Sequence, residues 1–242
     1  MMAERTTRGV AAGYHLDFDG FQILPEFLSA AECESLAAEL TTVFESQQEA
    51  ARGKIGGVRD LFRRCPRVAG LAVSPKFISV LEDLTDRKVF PVRAIFFDKT
   101  PGANWRVPWH QDLTIAVNER LETPGFNGWS VKEEIMHVQP PVGVLEGMVT
   151  LRLHLDATDL GNGALKVIPG SHRHGRLAAA EIRDWSEGQS QVVCEIRRGG
   201  AMVMRPLLLH ASSPSTSPWH RRVLHLEYST EALPNGLEWF DR

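Results

Sequence analysis

Two periodicities divide this chain. Residues 20–28, GFQILPEFL, read as a short strand. Ser29-Ala30-Ala31-Glu32 then has the spacing of a capping box: the serine hydroxyl accepts from orphan amides and the glutamate reaches back to the serine amide. Beyond it Leu36, Leu40, Val43 and Phe44 recur at helical spacing and predict an amphipathic helix to about Gln48. Phe77, Ile78, Leu81 and Leu84 repeat the pattern and predict a second helix over 75–84. From Lys88 onward the period changes. VFPVRAIFF, the run around His110, GMVTLRLHL, GALKVI, QVVCEI, GGAMVM and RVLHLEYS are short β-type segments broken by Gly, Pro, Asn and Asp. Helices first and strands after predict an α+β chain, mainly β, whose second part is a sandwich or barrel.

Alternation within two of these segments adds direction. In residues 149–156, Leu151, Leu153 and Leu155 alternate with Arg152, His154 and Asp156, giving one apolar and one charged face. If helices cover the leucines, Arg152 and His154 turn toward the interior, where a polar small molecule would sit. A solvent-facing edge is the other reading. In residues 221–227, Arg221, Val223, His225 and Glu227 share one face while Leu224 and Leu226 share the other.

Composition narrows the class. A formal net charge of -3 gives no electrostatic reason to expect nucleic acid or an anionic membrane as partner. Cys33, Cys65 and Cys194 are widely spaced and odd in number, so neither a disulfide framework nor a zinc pattern is legible. No signal peptide and no apolar run of transmembrane length are visible, which predicts a cytoplasmic protein with reduced thiols. The 242 residues read as one domain: helical support over 1–87, a β core over 88–242, and a lid over about 118–144, rich in Pro, Gly and charge. Nothing in the sequence sets an oligomeric state.

The candidate chemistry sits in His110-Gln111-Asp112, within NWRVPWHQDLTIAV. Residues two apart on a strand face one side, so the imidazole and carboxylate come within reach of one metal ion. A second histidine would complete the 2-His-1-carboxylate facial triad of non-haem Fe(II) oxygenases, which leaves coordination positions open. With nine His in the chain, a His-x-Asp arises readily by chance, so its company decides. His210 follows GGAMVMRPLLL at a strand end, and Arg221 comes eleven residues later near the start of the next strand. His172 and His174 share a His-x-His spacing but sit in a Pro-Gly-Ser turn, which reads as a connection.

Four segments in order resemble the phytanoyl-CoA dioxygenase family of Fe(II)/2-oxoglutarate oxygenases. They are DGFQILPEFLSAAECESL, FFDKTPGANWRVPWHQD, NGALKVIPGSHRHG, and the closing His-x-Ser with its arginine. The resemblance implies a double-stranded β-helix, a jelly-roll or cupin-like barrel, with the N-terminal helices packed on one sheet. It implies His110 and Asp112 as proximal iron ligands and His210 as the distal one. Arg221 would hold the distal carboxylate of 2-oxoglutarate, for which a rigid, permanently charged guanidinium fork is suited. Ser212 would add a hydroxyl to the same carboxylate, and Gln111 an amide donor.

The cofactors implied are Fe(II), 2-oxoglutarate as cosubstrate, and O2. The reaction implied is hydroxylation of an unactivated C–H bond in a small molecule, with succinate and CO2 as coproducts. Related halogenases carry Gly or Ala where Asp112 stands, so hydroxylation is the default, with desaturation or ring closure as variants. Candidate substrate contacts are Arg152, His154, Trp109 beside the ligand strand, and His137 in KEEIMHVQPP. Lys132 and Arg152 suggest a carboxylate partner, whereas no basic cluster suits the phosphates of CoA. Two other readings stand beside this one: a cupin-like metalloenzyme that does not use 2-oxoglutarate, and a non-catalytic ligand-binding barrel.

Overall fold

The structure, a computed structural model, describes residues 13–51, 57–100 and 103–241. In chain order its strands are β1 (Phe21–Leu24), β2 (Gly57–Val58), β3 (Phe90–Lys99), β4 (Val107–His110), β5 (Ile115–Val117), β6 (Asn127–Lys132), β7 (Ile135–Gln139), β8 (Met148–His154), β9 (Leu165–Val167), β10 (Val192–Cys194), β11 (Ala201–Met204), β12 (His210–Ser212) and β13 (Arg221–Ser229). Their pairings are antiparallel. Instead of closing into one hydrogen-bonded barrel, the strands form three sheets, ordered β1-β11-β8-β13-β3-β2, β10-β9-β12-β4 and β5-β7-β6.

Both helices that the pattern predicts are present, and Leu61–Arg64, Pro66–Ala72 and Ala179–Gly188 are among those it does not single out. Ser29 N–H donates to Glu32 Oε2 at 2.7 Å and Glu32 N–H to Ser29 Oγ at 3.2 Å, opening the helix Ala30–Ala51. Pro75 opens the helix Pro75–Thr85, where its fixed φ suits the first turn. Leu36, Leu40, Phe77 and Leu81 share one buried cluster with Leu151, Leu153, Leu224 and Leu226. The helices therefore cover the leucine face of the six-stranded sheet. Tyr228, in the same cluster, donates its hydroxyl to the Ala72 carbonyl at 3.0 Å.

The opposite face of that sheet looks at the four-stranded one. Phe21, Met202 and Met204 meet Leu165, Val167 and Cys194 in a second cluster that joins the two sheets at one end. Beside this apolar plug lies a cavity, and alternation delivers Arg152, Arg221 and His225 to it. Cys33, Cys65 and Cys194 are buried free thiols. Among the described residues no helix is long and apolar enough to cross a membrane.

Leu153 is fully buried between helices and sheet. Leu153→Ala is expected to lower the unfolding free energy by about 2–5 kcal/mol, read by urea denaturation. A loss below 0.5 kcal/mol would mean that the helices do not seal this face.

Candidate metal centre and cosubstrate cavity

β4 and β12 lie side by side with His210 opposite His110, and the two imidazole rings are 4.1 Å apart. Asp112 follows β4, its N–H fixed on the Pro206 carbonyl at 2.9 Å. His110 Nε2 stands 3.7 Å from Asp112 Oδ1, and His210 Nε2 stands 3.6 Å from Asp112 Oδ2. One ligand atom from each of the three side chains lies within 4.8 Å of the others, so the group could hold one ion. The other ring nitrogens are committed. His110 Nδ1 lies 2.9 Å from the Pro108 carbonyl and 3.1 Å from that of His210, while His210 Nδ1 lies 2.8 Å from the Leu208 carbonyl.

A carbonyl only accepts, so each Nδ1 carries the proton and each Nε2 keeps its lone pair for a metal. Burial alone would raise the Asp112 carboxyl, but His210, His225, His110 and Arg93 around it hold it at about 2. Burial lowers His210 to about 4 against the opposite pull of Asp112. At neutral pH Asp112 is thus a carboxylate and His210 a free-base imidazole, the protonation states that metal binding requires. Two nitrogens and one oxygen on one side, with the cavity on the other, suit ferrous iron with open positions.

The cavity runs from these ligands past Phe97 and Trp105 to Lys99, Ser212 and Arg221. Arg221 is buried, makes no ion pair among the described residues, and has no partner for Nε. Burial and neighbouring Arg152 bring it down to about 10, which still leaves it charged at neutral pH. Arg222 points the other way and binds Asp156 through Nε and Nη2, each at 2.8 Å.

Lys99 stands opposite Arg221 in the β3–β13 register. It is fully buried and donates to Ser212 Oγ at 2.6 Å and to the Ser213 carbonyl at 2.7 Å. Burial, then Arg221 and Arg152, lower it to about 7. Gly163 makes this approach feasible. At φ 80, a Cβ there would stand 2.5 Å from the Ser213 oxygen and 3.2 Å from Lys99 Nζ. The glycine of the NGALKVIPGSH string is therefore a packing requirement of the cavity wall.

The profile of the phytanoyl-CoA dioxygenase (PhyH) family matches residues 16–223, most of the chain. The chain belongs to the phytanoyl-CoA dioxygenase family. It is accordingly an iron- and 2-oxoglutarate-dependent oxygenase that uses O2. It is similar to an L-proline trans-4-hydroxylase from Streptomyces griseoviridis, at 24% identity over 87% of this chain and 82% of the relative. Among solved structures it resembles EctD from S. alaskensis with 2-oxoglutarate and 5-hydroxyectoine, with a TM-score of 0.68, 19% identity, and 89% of this chain against 73% of that one. It also resembles the non-haem α-ketoglutarate-dependent carbocyclase SnoK of nogalamycin biosynthesis, with a TM-score of 0.67, 17% identity, and 88% against 81%. These structural likenesses are likenesses of fold.

Within this family member the remaining expected residues divide. Gln111 is not available to a cosubstrate. Its Nε2 donates to the Gly175 and Leu207 carbonyls at 2.7 and 2.8 Å, and its Oε1 accepts from Leu177 N–H at 2.8 Å. Trp109 is likewise corrected: it packs with Ile168, Leu177 and Leu209 under the helix Ala179–Gly188. Both sit one residue out of phase with the ligands, so alternation turns them away from the cavity. Trp105 is the tryptophan that lines it, with Lys99 Nζ 5.3 Å from its ring centre. His154 is buried, with Nδ1 3.2 Å from Thr158 Oγ1 and no partner for Nε2. His137 is buried on β7 against the Ile135 carbonyl, and burial lowers it to about 4.

Two substitutions separate ligand from scaffold. Asp112→Ala is expected to weaken Co(II) binding about tenfold or more in calorimetry, with an unchanged far-UV circular dichroism spectrum. Gln111→Ala should weaken metal binding less than Asp112→Ala does, while costing about 1–3 kcal/mol of stability. The reverse pattern would exchange their roles.

Proposed function

We propose that this enzyme hydroxylates an unactivated C–H bond of a small molecule, consuming 2-oxoglutarate and O2 and releasing succinate and CO2. One observation carries the reading: the ligand atoms of His110, Asp112 and His210 flank one end of a cavity whose other end holds the buried, unpaired Arg221. That arrangement suits a cosubstrate with a chelating 2-oxo acid at one end and a carboxylate at the other. Iron held by the triad, together with 2-oxoglutarate and O2, supplies an oxidant strong enough for an unactivated C–H bond.

The chain's own residues supply orientation and dryness. Arg221 presents two parallel N–H donors to the distal carboxylate, which fixes its direction as well as its place. Lys99 adds a charge that responds to the ligand, and Ser212, already bound to Lys99, adds a hydroxyl. Phe97 and Trp105 wall the cavity and exclude water, which strengthens each electrostatic contact inside. His154 lies on the same inward face, within the field of Arg152 and Arg221.

The two facing sheets are read as the halves of a double-stranded β-helix, and residues 1–242 as a single domain. Residues 1–87 are mainly support and 88–242 are the core. The third sheet, β5-β7-β6, lies largely in the 118–144 segment and is read as a lid. Trp239 bridges it at Val117, and His137 sits on its central strand. A small-molecule substrate agrees with relatives whose names give proline and 5-hydroxyectoine. Three buried free thiols suit the reducing cytoplasm.

Anaerobic titration of the metal-free protein with Fe(II) and then 2-oxoglutarate tests this reading. A visible metal-to-ligand charge-transfer band should require both, and Arg221→Lys should weaken 2-oxoglutarate about tenfold or more. An iron-loaded protein without the band would favour a cupin-like enzyme that does without 2-oxoglutarate.

Affinity should also depend on pH. Lys99 titrates near 7 in the free protein because burial and two guanidiniums disfavour its charge. A bound dianion reverses that field and raises the Lys99 pKa, so binding takes up a proton above pH 7. Affinity is then highest below pH 7 and falls by up to about tenfold per pH unit above it. Lys99→Met should flatten the profile. A wild-type dissociation constant that is level from pH 6.5 to 8.5 contradicts the role given to Lys99.

A further inference from the structure

A charge count around the cavity leaves one cation over. Asp112 is its sole acidic lining residue among the described residues, against Lys99, Arg152 and Arg221. On the oxygenase reading above, on which this inference rests, a ferrous ion and a 2-oxoglutarate dianion cancel one another. Asp112 and Arg221 cancel as well. Arg152 remains, and Lys99 is a second cation whenever that amine is protonated. A charge withdrawn from water without a counter-ion is unfavourable, so the functioning complex calls for an anion.

The protein orients Arg152 without neutralising it. Arg152 Nη1 lies 2.8 Å from His225 Nδ1, and His225 Nε2 lies 3.1 Å from Glu227 Oε1. A guanidinium has donors only, so His225 Nδ1 must hold a lone pair and the ring proton sits on Nε2, donated to Glu227. His225 is thus neutral, a state that its burial also favours. The Glu227 carboxylate is spoken for by its ion pair with Arg93. Arg152 Nε, in a side chain with 7% exposure, has no partner.

Position argues that the missing anion is not the cosubstrate. Arg152 stands opposite His225 in the β8–β13 register, four residues along β13 from Arg221. At about 3.3 Å per residue that is roughly 13 Å along the sheet. A five-carbon diacid spans roughly half of that backbone separation, with C–C bonds of about 1.5 Å, so one held at Arg221 and at the metal does not need Arg152. Arg152 and Asp112 both line the cavity, and Arg152 lies within the field of that carboxylate. Lys132 is a further cation that forms no ion pair among the described residues, close enough to sense Asp112 and Arg93.

We propose that the primary substrate is a small carboxylic acid whose carboxylate is received by Arg152, making Arg152 a specificity residue. The test uses the anaerobic wild-type complex saturated with Fe(II) and 2-oxoglutarate. It is titrated with hexanoate, benzoate and 4-phenylbutyrate, and separately with their neutral primary amides. Binding is followed by calorimetry and by perturbation of the charge-transfer band.

At least one acid should bind tenfold or more tighter than its amide. Arg152→Met should reduce that preference below threefold, and Arg152→Lys should keep part of it, while 2-oxoglutarate affinity measured below pH 7, where Lys99 is already largely protonated, stays within threefold of wild type. Acids binding no better than amides, or not at all at 10 mM, would overturn the proposal whatever the variants do. A tenfold or larger loss of 2-oxoglutarate affinity in Arg152→Met would overturn it too, by assigning Arg152 to the cosubstrate. A band that never forms in wild type, before any acid is added, would instead remove the oxygenase reading.

Discussion

Gathering Lys99, Arg152 and Arg221 in one water-poor cavity works against folding, because each charge loses its hydration and repels the others. The fold tolerates this because the same strands carry an apolar face on their other side. Leu151 and Leu153 alternate with Arg152 and His154 on β8, and Leu224 and Leu226 alternate with Arg221, His225 and Glu227 on β13. Each fully buried leucine contributes about 1.5–3 kcal/mol, enough for a few of them to offset one poorly solvated ion. The two-residue period of a strand thus couples the site to the helices behind it. A register slip of one residue would exchange the faces and destroy both at once.

The metal centre depends on a different device, the backbone carbonyl. Pro108, Leu208 and the His210 carbonyl fix both imidazoles in the tautomer that exposes Nε2. Gln111, between His110 and Asp112, ties their strand end to Gly175, Leu177 and Leu207. Ligand directions are therefore set before an ion arrives, and little reorganisation is left for binding to drive. Gln111 supports the candidate triad from behind, because it points away from the side on which an ion could be held.

What the sequence revealed was whatever is local or periodic. The capping box at Ser29, the helix at Pro75 and the polar faces of β8 and β13 need only neighbours in the chain to be read. Lys99 escaped because its place depends on the β3–β13 register, which sets it opposite Arg221 and is invisible until the strands pair. Gln111 and Trp109 pack away from the cavity for a reason that the sequence contains. Each is one residue out of phase with His110 and Asp112, so strand alternation turns both outward. The division of the strands into separate sheets could not be read, since strand patterns do not say which edges remain unpaired.

Gly163 joins these levels. It follows a tight turn in which Asp159 Oδ1 accepts from Asn162 N–H and Asn162 Oδ1 accepts from Asp159 N–H, each at 2.9 Å. That turn brings a residue without a side chain against Lys99 Nζ and the Ser213 carbonyl. The buried amine is thereby held between a backbone oxygen and the Ser212 hydroxyl, neither of which carries charge. A carboxylate in either place would keep Lys99 permanently protonated. Two neutral acceptors leave its charge to be decided by the neighbouring guanidiniums and by whatever anion enters. A single glycine in a family-specific string therefore leads, through contact distances alone, to an electrostatic property of the cosubstrate cavity.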